Sequence, residues 1–144
     1  MEIKKSVKEE LVPFLDDVFK QQHDAEFSDG LAESTEQPLV LTAWVEDQLA
    51  GGIVGRYQYD TLYISLLGVD ARFQKLGIGS ELMRAIEKQA VEKGLKTITL
   101  TTKAYQALDF YLKQGYEVFG KIADVPMVGT TKYYLAKRIN SLAD

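Results

Sequence analysis

The chain has no cysteine and only one histidine among its 144 residues. Without cysteine it can form no disulfide and offers no thiolate, so covalent catalysis through a cysteine is excluded. A tetrahedral zinc site needs three or four such ligands close together, so we expect no bound metal. The lack of disulfides agrees with a cytoplasmic protein.

Long apolar runs and an excess of basic residues are also missing. No stretch approaches the roughly 20 apolar residues that cross a bilayer, and residues 1–5 are followed by charged residues rather than by an apolar signal core. We therefore expect a soluble protein that does not enter a membrane. The 17 basic and 21 acidic residues give a net charge of -4. This charge argues against nucleic acid as the main partner, because phosphate backbones bind basic faces.

One stretch organises the rest of the chain, which at this length we expect to form a single domain over residues 1–144. Residues 62–69 are a near-continuous apolar run, typical of a central strand that is buried on both faces. From Ile78 to Ala90 apolar residues recur every fourth position, which predicts a helix with one face on a core. Gly94 would end this helix as a left-handed cap.

The remaining elements follow from alternation and turn residues. Residues 97–102 alternate threonine with larger apolar side chains, and a strand, a helix and another strand imply a right-handed parallel crossover. Gly68 within the central strand predicts a bulge that would separate this strand from its parallel neighbour. The other strands are predicted over residues 2–7, 39–45, 49–57, 95–102, 116–122 and 131–138, with further helices before residue 22 and over 105–114.

The turn between the central strand and its helix, residues 74–79, is a candidate anion site. The first amides of a helix have no partner inside it, and the helix dipole makes that end electropositive. Gly77 and Gly79 lack the side chains that would keep a phosphate from these amides. Tight packing alone would also favour two glycines here, so this motif by itself leaves both interpretations open.

A second motif makes the pattern more specific. The two motifs are Gln74-x-x-Gly77-x-Gly79 and Ala107-x-x-Phe110-Tyr111-x-x-x-Gly115-Tyr116. Together they resemble the acetyl-CoA site of the GNAT superfamily of N-acetyltransferases, and the resemblance extends over residues 39–138. It implies an α/β (α+β) fold in which a mixed, mostly antiparallel central sheet has helices on both faces and a splayed parallel strand pair at its centre.

The resemblance also implies a function and a cosubstrate. It indicates an acyltransferase that moves the acetyl group of acetyl-CoA directly to a primary amine of a small molecule or peptide. A CoA or acyl-CoA sensor that has lost transfer remains an alternative, and a partner-binding domain without a cofactor is a third. An edge strand near the carboxyl end leaves a homodimer open.

Individual site residues are carried over by position. Tyr111 matches the tyrosine that points at the cofactor sulfur in many members of the superfamily, so we expect it to protonate the departing thiolate. The backbone at Leu67 and Val69 would meet the pantetheine arm, and Ala104 stands where an asparagine often contacts it. The implied cofactor-binding residues are Leu67, Val69, Gln74, Lys75, Leu76, Gly77, Ile78, Gly79, Ser80 and Ala104. The general base is left open among Glu46, Asp60, Tyr63 and Ser65.

Overall fold

The computed structural model describes residues 1–27, 34–103 and 105–139, with only the backbone at Gln106. It contains two compact units, residues 1–35 and 36–144. The first unit contains helix α1, Lys8–Glu26, none of whose residues is buried. The strand expected over residues 2–7 is wrong: this segment has no regular structure, and its apolar side chains Ile3 and Val7 are exposed, so it lacks the burial that stabilises a strand. None of the described helices is both long enough and apolar enough to cross a bilayer.

In its described residues, the second unit consists of a six-stranded sheet with two α-helices. The strands are β1 Gln37–Val45, β2 Gln48–Gln58, β3 Thr61–Val69, β4 Thr97–Thr102, β5 Glu117–Ala123 and β6 Thr131–Arg138; the helices are α2 Ile78–Glu92 and α3 Tyr105–Lys113, with a short 3₁₀ turn at Ala71–Phe73. The strand order is β1-β2-β3-β4-β6-β5. Every neighbouring pair is antiparallel except β3 with β4. This confirms the predicted mixed, mostly antiparallel sheet with a parallel pair at its centre.

The parallel pair is joined over only part of its length. β3 pairs with β4 from Thr61 opposite Thr97 to Ile64 opposite Leu100, and both strands then continue without pairing to each other. We call residues 61–64 with 97–100 the closed half, and residues 65–69 with 101–102 the open half. The predicted splay of the central strands is therefore present.

The bulge that accompanies the splay is not where the sequence placed it. Gly68 pairs in register with Gly52, and the irregularity lies three residues earlier, where Ser65 is the extra residue opposite the Val54 to Gly55 step. The hydroxyl of Ser65 donates to the backbone oxygen of Val54, 3.2 Å away. The prediction of a bulge at Gly68 is wrong because a bulge is defined by the partner strand, which the sequence of β3 alone does not show.

The extra residue shifts the alternation of side chains along β3. Leu62 and Ile64 are buried in the core before the bulge. Beyond it, Leu67 and Val69 pack against the same core, so the inward positions have moved from even to odd numbers. Leu66 faces outward and is 65% exposed. The expectation that the whole strand is buried on both faces is thus wrong for the open half.

Helix α2 covers one face of this sheet, contacting β1, β2 and β3. Gly51 lets β2 approach closely: a Cβ there would lie 2.8 Å from the Gly68 oxygen and 3.3 Å from the Ile78 side chain. The helix ends as predicted, with Gly94 at a φ of 77°. Its buried face consists of Ile78, Leu82, Met83, Ile86 and Ala90.

Candidate active site

The first turn of α2 presents unpaired backbone amides. Gly77 is the N-cap with a φ of 76° and supplies no side-chain cap. The amide of Glu81 donates to the Gly77 oxygen at 3.0 Å. The amides of Ile78, Gly79 and Ser80 precede this first helical bond and find no acceptor within the described part of the chain. Three donors therefore remain free at the electropositive end of the helix.

These amides open on a groove of about 410 Å³, which we call the amide groove. It is lined by Val69, Phe73, Gln74, Lys75, Gly77, Ile78, Gly79, Ser80 and Phe110. A Cβ on Gly79 would stand 3.5 Å from the Phe110 ring, so a longer side chain there would project into the groove. Leu76 is not part of the lining and is 61% exposed. The structure thus brings together all the predicted turn residues except Leu76.

A second groove of about 320 Å³ occupies the open half of the central strands, and we call it the strand groove. Its lining residues are Ile64, Ser65, Leu66, Leu67, Leu100, Thr101, Thr102, Lys103, Ala107 and Tyr111. Lys103 is the charged member of this set, and no carboxylate belongs to it. The predicted positions Leu67 and Tyr111 therefore lie around one groove, while Ala104 is outside the described residues.

Tyr111 is almost completely buried, and its ring packs against two other aromatic side chains. Its side chain is 9% exposed, and burial raises the pKa of its phenol above the usual value of about 10. The ring packs edge-on against Phe110 at 5.1 Å and against Tyr116 at 6.0 Å between centroids. Among the described residues the hydroxyl has no hydrogen-bond partner, yet no fully buried side-chain oxygen or nitrogen lacks one. The hydroxyl is therefore not fully buried, and Tyr111 is one of the residues that line the strand groove.

The two grooves are bordered by the same two elements. Along β3, Val69 lines the amide groove and Leu67 the strand groove. Along α3, Phe110 lines the amide groove and the next residue, Tyr111, lines the strand groove. An extended molecule with an anionic group at one end could therefore reach the phenol with its other end.

Of the four residues considered as a base, the structure brings one to the strand groove. Ser65 lines it, with its hydroxyl engaged by β2. Glu46 lies in the β1 to β2 turn and Asp60 in the β2 to β3 turn, and neither lines the groove. Tyr63 lies beneath the Arg56 guanidinium, 4.5 Å from the ring centroid. The geometry therefore provides no carboxylate base from these candidates.

Several lining residues, among them Phe73, Thr101 and Thr102, were not singled out by the sequence patterns. Phe73 borders the amide groove, and Thr101 and Thr102 border the strand groove at the end of β4. Their one signal in sequence is position, directly before the glycine turn or at the end of a strand beside the predicted gap. No group of three or more metal-ligating side chains occurs within residues 1–27, 34–103 and 105–139.

Comparison with known proteins agrees with this geometry. Residues 4–116 match the model of the Acetyltransferase (GNAT) family. The blasticidin-S acetyltransferase of Streptomyces morookaense is 38% identical over 93 residues, which are 64% of this chain and 68% of that protein. The chain therefore belongs to the GNAT family of acetyltransferases, and the predicted acyltransferase is confirmed.

Solved structures show the same fold. An acetyltransferase from Bacillus cereus ATCC 14579 superposes with a TM-score of 0.82 and 28% identity, covering 96% of this chain and 98% of the other. An aminoglycoside 6'-N-acetyltransferase complexed with coenzyme A has a TM-score of 0.69 and 20% identity, with both chains covered completely. At that lower identity the second likeness concerns the fold alone.

Proposed function

We propose that the protein is an acetyl-CoA-dependent N-acetyltransferase that transfers the acetyl group directly to a primary amine of a small molecule or peptide. One observation carries the proposal: free helix amides line one groove and Tyr111, whose hydroxyl has no hydrogen-bond partner among the described residues, lines a second, and the two grooves share β3 and α3. A molecule with a diphosphate at one end and a thioester at the end of an extended arm fits this arrangement. Coenzyme A in the structurally similar aminoglycoside enzyme supports the choice of cosubstrate.

The amide groove fits the diphosphate of this cosubstrate. The amides of Ile78, Gly79 and Ser80 supply three donors, and hydrogen bonds to a charged group contribute roughly 1.5 to 3 kcal/mol each. The helix dipole acts in the same direction. Gln74 and Lys75 would border the phosphates. A few such contacts supply a large part of a micromolar affinity, which corresponds to about 8 kcal/mol.

The strand groove fits the pantetheine arm. Within the described residues, the edge of β3 that faces β4 has no strand partner beyond Ile64. An extended chain with amide groups can pair with such an edge, as peptides do in strand addition. Leu67 and Val69 are the backbone positions at which we place this contact.

Acetyl-CoA supplies an activated thioester whose carbonyl carbon accepts the amine nitrogen. Nitrogen forms the new bond to this carbon, the carbon to sulfur bond breaks, and the sulfur leaves with the bonding electrons. Tyr111 donates its phenolic proton to the sulfur and regains a proton from solvent. Burial raises the pKa of Tyr111, so the phenol stays protonated and able to donate at neutral pH. The proton released by the amine passes to water, since no carboxylate lines the strand groove.

A CoA-binding sensor without transfer is a second candidate. The absence of a carboxylate from the residues lining the strand groove favours it, because an alkyl amine with a pKa near 10.4 must lose a proton before it attacks. The two functions differ in turnover and share cofactor binding.

The test combines thermal melting with thiol release. Acetyl-CoA at about 100 times its Kd should stabilise the fold by about 2.7 kcal/mol and raise the melting temperature. An amine panel containing blasticidin S, an aminoglycoside and a peptide with a free amino terminus should then release CoA thiol in the presence of one class. Stabilisation without release for any amine would favour the sensor. An unchanged melting temperature would contradict both functions.

A further inference from the structure

We propose that Gln114 is a positioning residue that fixes the distance between the Tyr111 hydroxyl and the free amides of α2. The inference rests on the proposed function, because those amides and that hydroxyl are assigned to opposite ends of acetyl-CoA. Gln114 contacts neither groove itself and acts through the two helices that form them.

The last turn of α3 gives Gln114 a defined place. The backbone amide of Tyr116 donates to the backbone oxygen of Tyr111 at 3.1 Å, and the backbone amide of Gly115 donates to the backbone oxygen of Leu112 at 3.0 Å. Gly115 has a φ of 94°. These two bonds with a left-handed glycine form a Schellman cap. These bonds fix the backbone from Tyr111 to Tyr116, so α3 ends at Lys113 and Gln114 is the residue between the helix and the left-handed glycine.

Gln114 is tied to the rest of the molecule through both its side chain and its backbone. Its Nε2 donates to the Ser80 hydroxyl at 3.1 Å. Ser80 lies in the first turn of α2, and its own amide is one of the three free donors. The backbone oxygen of Gln114 accepts from the Lys137 ammonium at 2.8 Å. One residue thus joins the end of α3 to the turn that carries the amides.

Lys137 is itself fixed by a second contact to α2. Its ammonium lies 2.7 Å and 3.3 Å from the two carboxylate oxygens of Glu87. The Tyr116 hydroxyl donates to one of these oxygens at 3.4 Å. The side chains of Lys137 and Glu87 are only 28% and 16% exposed. The pair is therefore shielded from solvent, and the ammonium also favours the electronegative end of α3.

Gly115 is required by its backbone conformation rather than by Lys137. A Cβ at Gly115 would make ordinary van der Waals contact with Lys137, 3.4 Å from Cε and 3.5 Å from Nζ. Its φ of 94°, in contrast, lies in the left-handed region that favours glycine.

The two connections have a consequence for catalysis. α3 has nine residues, and a helix this short is held by its contacts rather than by its own stability. Ser80 and Glu87 belong to the same helix, so α3 is fixed to α2 at two heights. Tyr111 and the amides of α2 would then move as one body. A displacement of about 1 Å between reacting groups can cost roughly a hundredfold in rate.

The test is Gln114→Ala in two backgrounds. The substitution removes the hydrogen bond to Ser80. The backbone oxygen of residue 114 still accepts from Lys137, so the ion pair between Lys137 and Glu87 stays intact. We expect kcat to fall about tenfold with the KM for acetyl-CoA changed by less than about twofold. In a Tyr111→Phe background the same substitution should cause no further fall, because the group that it misplaces is gone.

Lys113→Ala is the matched control. Lys113 is the neighbouring residue, and its ion pair with Asp109 at 3.1 Å is exposed on the same helix. Lys113→Ala should leave kcat and KM unchanged, both in the wild-type protein and in the Tyr111→Phe background. The proposal would be overturned if Gln114→Ala lowered kcat equally in the wild-type and Tyr111→Phe backgrounds. It would also be overturned if Gln114→Ala raised KM and left kcat unchanged.

A wild-type chain that binds acetyl-CoA but acetylates no amine would contradict the proposed function. In that case, amide hydrogen exchange would test the coupling between α3 and α2. Gln114→Ala should then speed amide exchange both in residues 108–113 of α3 and in residues 81–84 of α2, whereas Lys113→Ala should not affect residues 81–84. Unchanged exchange in either segment of Gln114→Ala would overturn the coupling itself.

Discussion

The two halves of the central strand pair differ although the same two strands form them. In the closed half, Leu62, Ile64 and Ile98 are at most 4% exposed and the strands are joined by their backbone ladder. In the open half the ladder is absent, Leu66 is 65% exposed, and the space between the strands is a groove that Tyr111 borders. One half has the character of a core and the other that of a binding site.

The difference shows how little sequence is needed to change a core into a site. A single extra residue, Ser65, reverses which side chains of β3 face inward. Leu67 and Val69 still reach the core, so the strand continues without losing its packing. The backbone edge towards β4 nevertheless has no strand partner in the described part of the chain. The bulge therefore opens the sheet at low cost in buried apolar area.

The largest expected effect separates the halves by stability. Ile98→Ala removes a fully buried side chain from the closed half and should lower the free energy of unfolding by about 2 to 5 kcal/mol. Leu66→Ala in the open half should change it by less than about 0.5 kcal/mol. Urea denaturation measures both. Similar losses for the two variants would break the comparison, since both halves would then be core.

Next in size is the effect of a charge beside the open half. Gly79→Glu adds a side chain in ordinary contact with Phe110 and places a carboxylate in the amide groove. Repulsion of the diphosphate should lower the affinity for coenzyme A by about a hundredfold, or about 2.7 kcal/mol. Calorimetric titration gives the Kd. Ala85→Glu adds the same charge to an exposed position of the same helix and should bind like the wild type; equal affinities for both variants would exclude the amide groove.

The phenol of the open half should affect turnover rather than binding. Tyr111→Phe should lower kcat by about a hundredfold, the low end for a general acid, with little change in the Kd of acetyl-CoA. Raising the pH from 7 to about 9.5 should partly restore the variant, because a thiol of pKa about 8.5 then needs no proton. Burial raises the pKa of Tyr111, so the wild type should keep its acid over this range.

Tyr105→Phe is the control for this substitution, since Tyr105 is on the same helix and 80% exposed. It should retain the wild-type kcat at every pH. An unchanged turnover in Tyr111→Phe would remove the phenol from the mechanism.

The smallest effect is expected behind the groove, where Tyr116 faces the core. Burial, and then the Glu87 carboxylate, raise the pKa of Tyr116 far above its usual value. The folded chain therefore keeps a proton that the unfolded chain releases near pH 10, so stability is lost as the pH rises above this value. Tyr116→Phe should reduce that loss by up to about 1.4 kcal/mol per pH unit. Parallel curves of unfolding free energy between pH 9 and 11 would contradict this assignment.

The sequence was informative where a local pattern decides the structure. The helix between the glycine turn and Gly94 follows from apolar spacing and a left-handed cap, and the alternating threonines of β4 alternate in burial as well. These features depend on neighbours within about ten residues. The two motifs also located Tyr111 and most of the amide groove.

What the sequence did not reveal depends on partners far along the chain. The bulge at Ser65 exists only against Val54 and Gly55 of β2. The bond between Gln114 and Ser80 joins residues 34 positions apart. Neither has a local signature in the sequence. The candidate site could therefore be predicted as a set of residues, but not as two grooves connected by the hydrogen bond between Gln114 and Ser80.

The most direct test of the central claim is amide chemical-shift mapping as coenzyme A is added to ¹⁵N-labelled protein. The largest shifts should fall in residues 77–80 and in the open half, residues 65–69 and 101–102, while residues 61–64 and 97–100 should shift little. Shifts concentrated in the closed half, or on a surface away from both grooves, would contradict the claim that the cofactor binds jointly to the splayed strands and to the free helix amides.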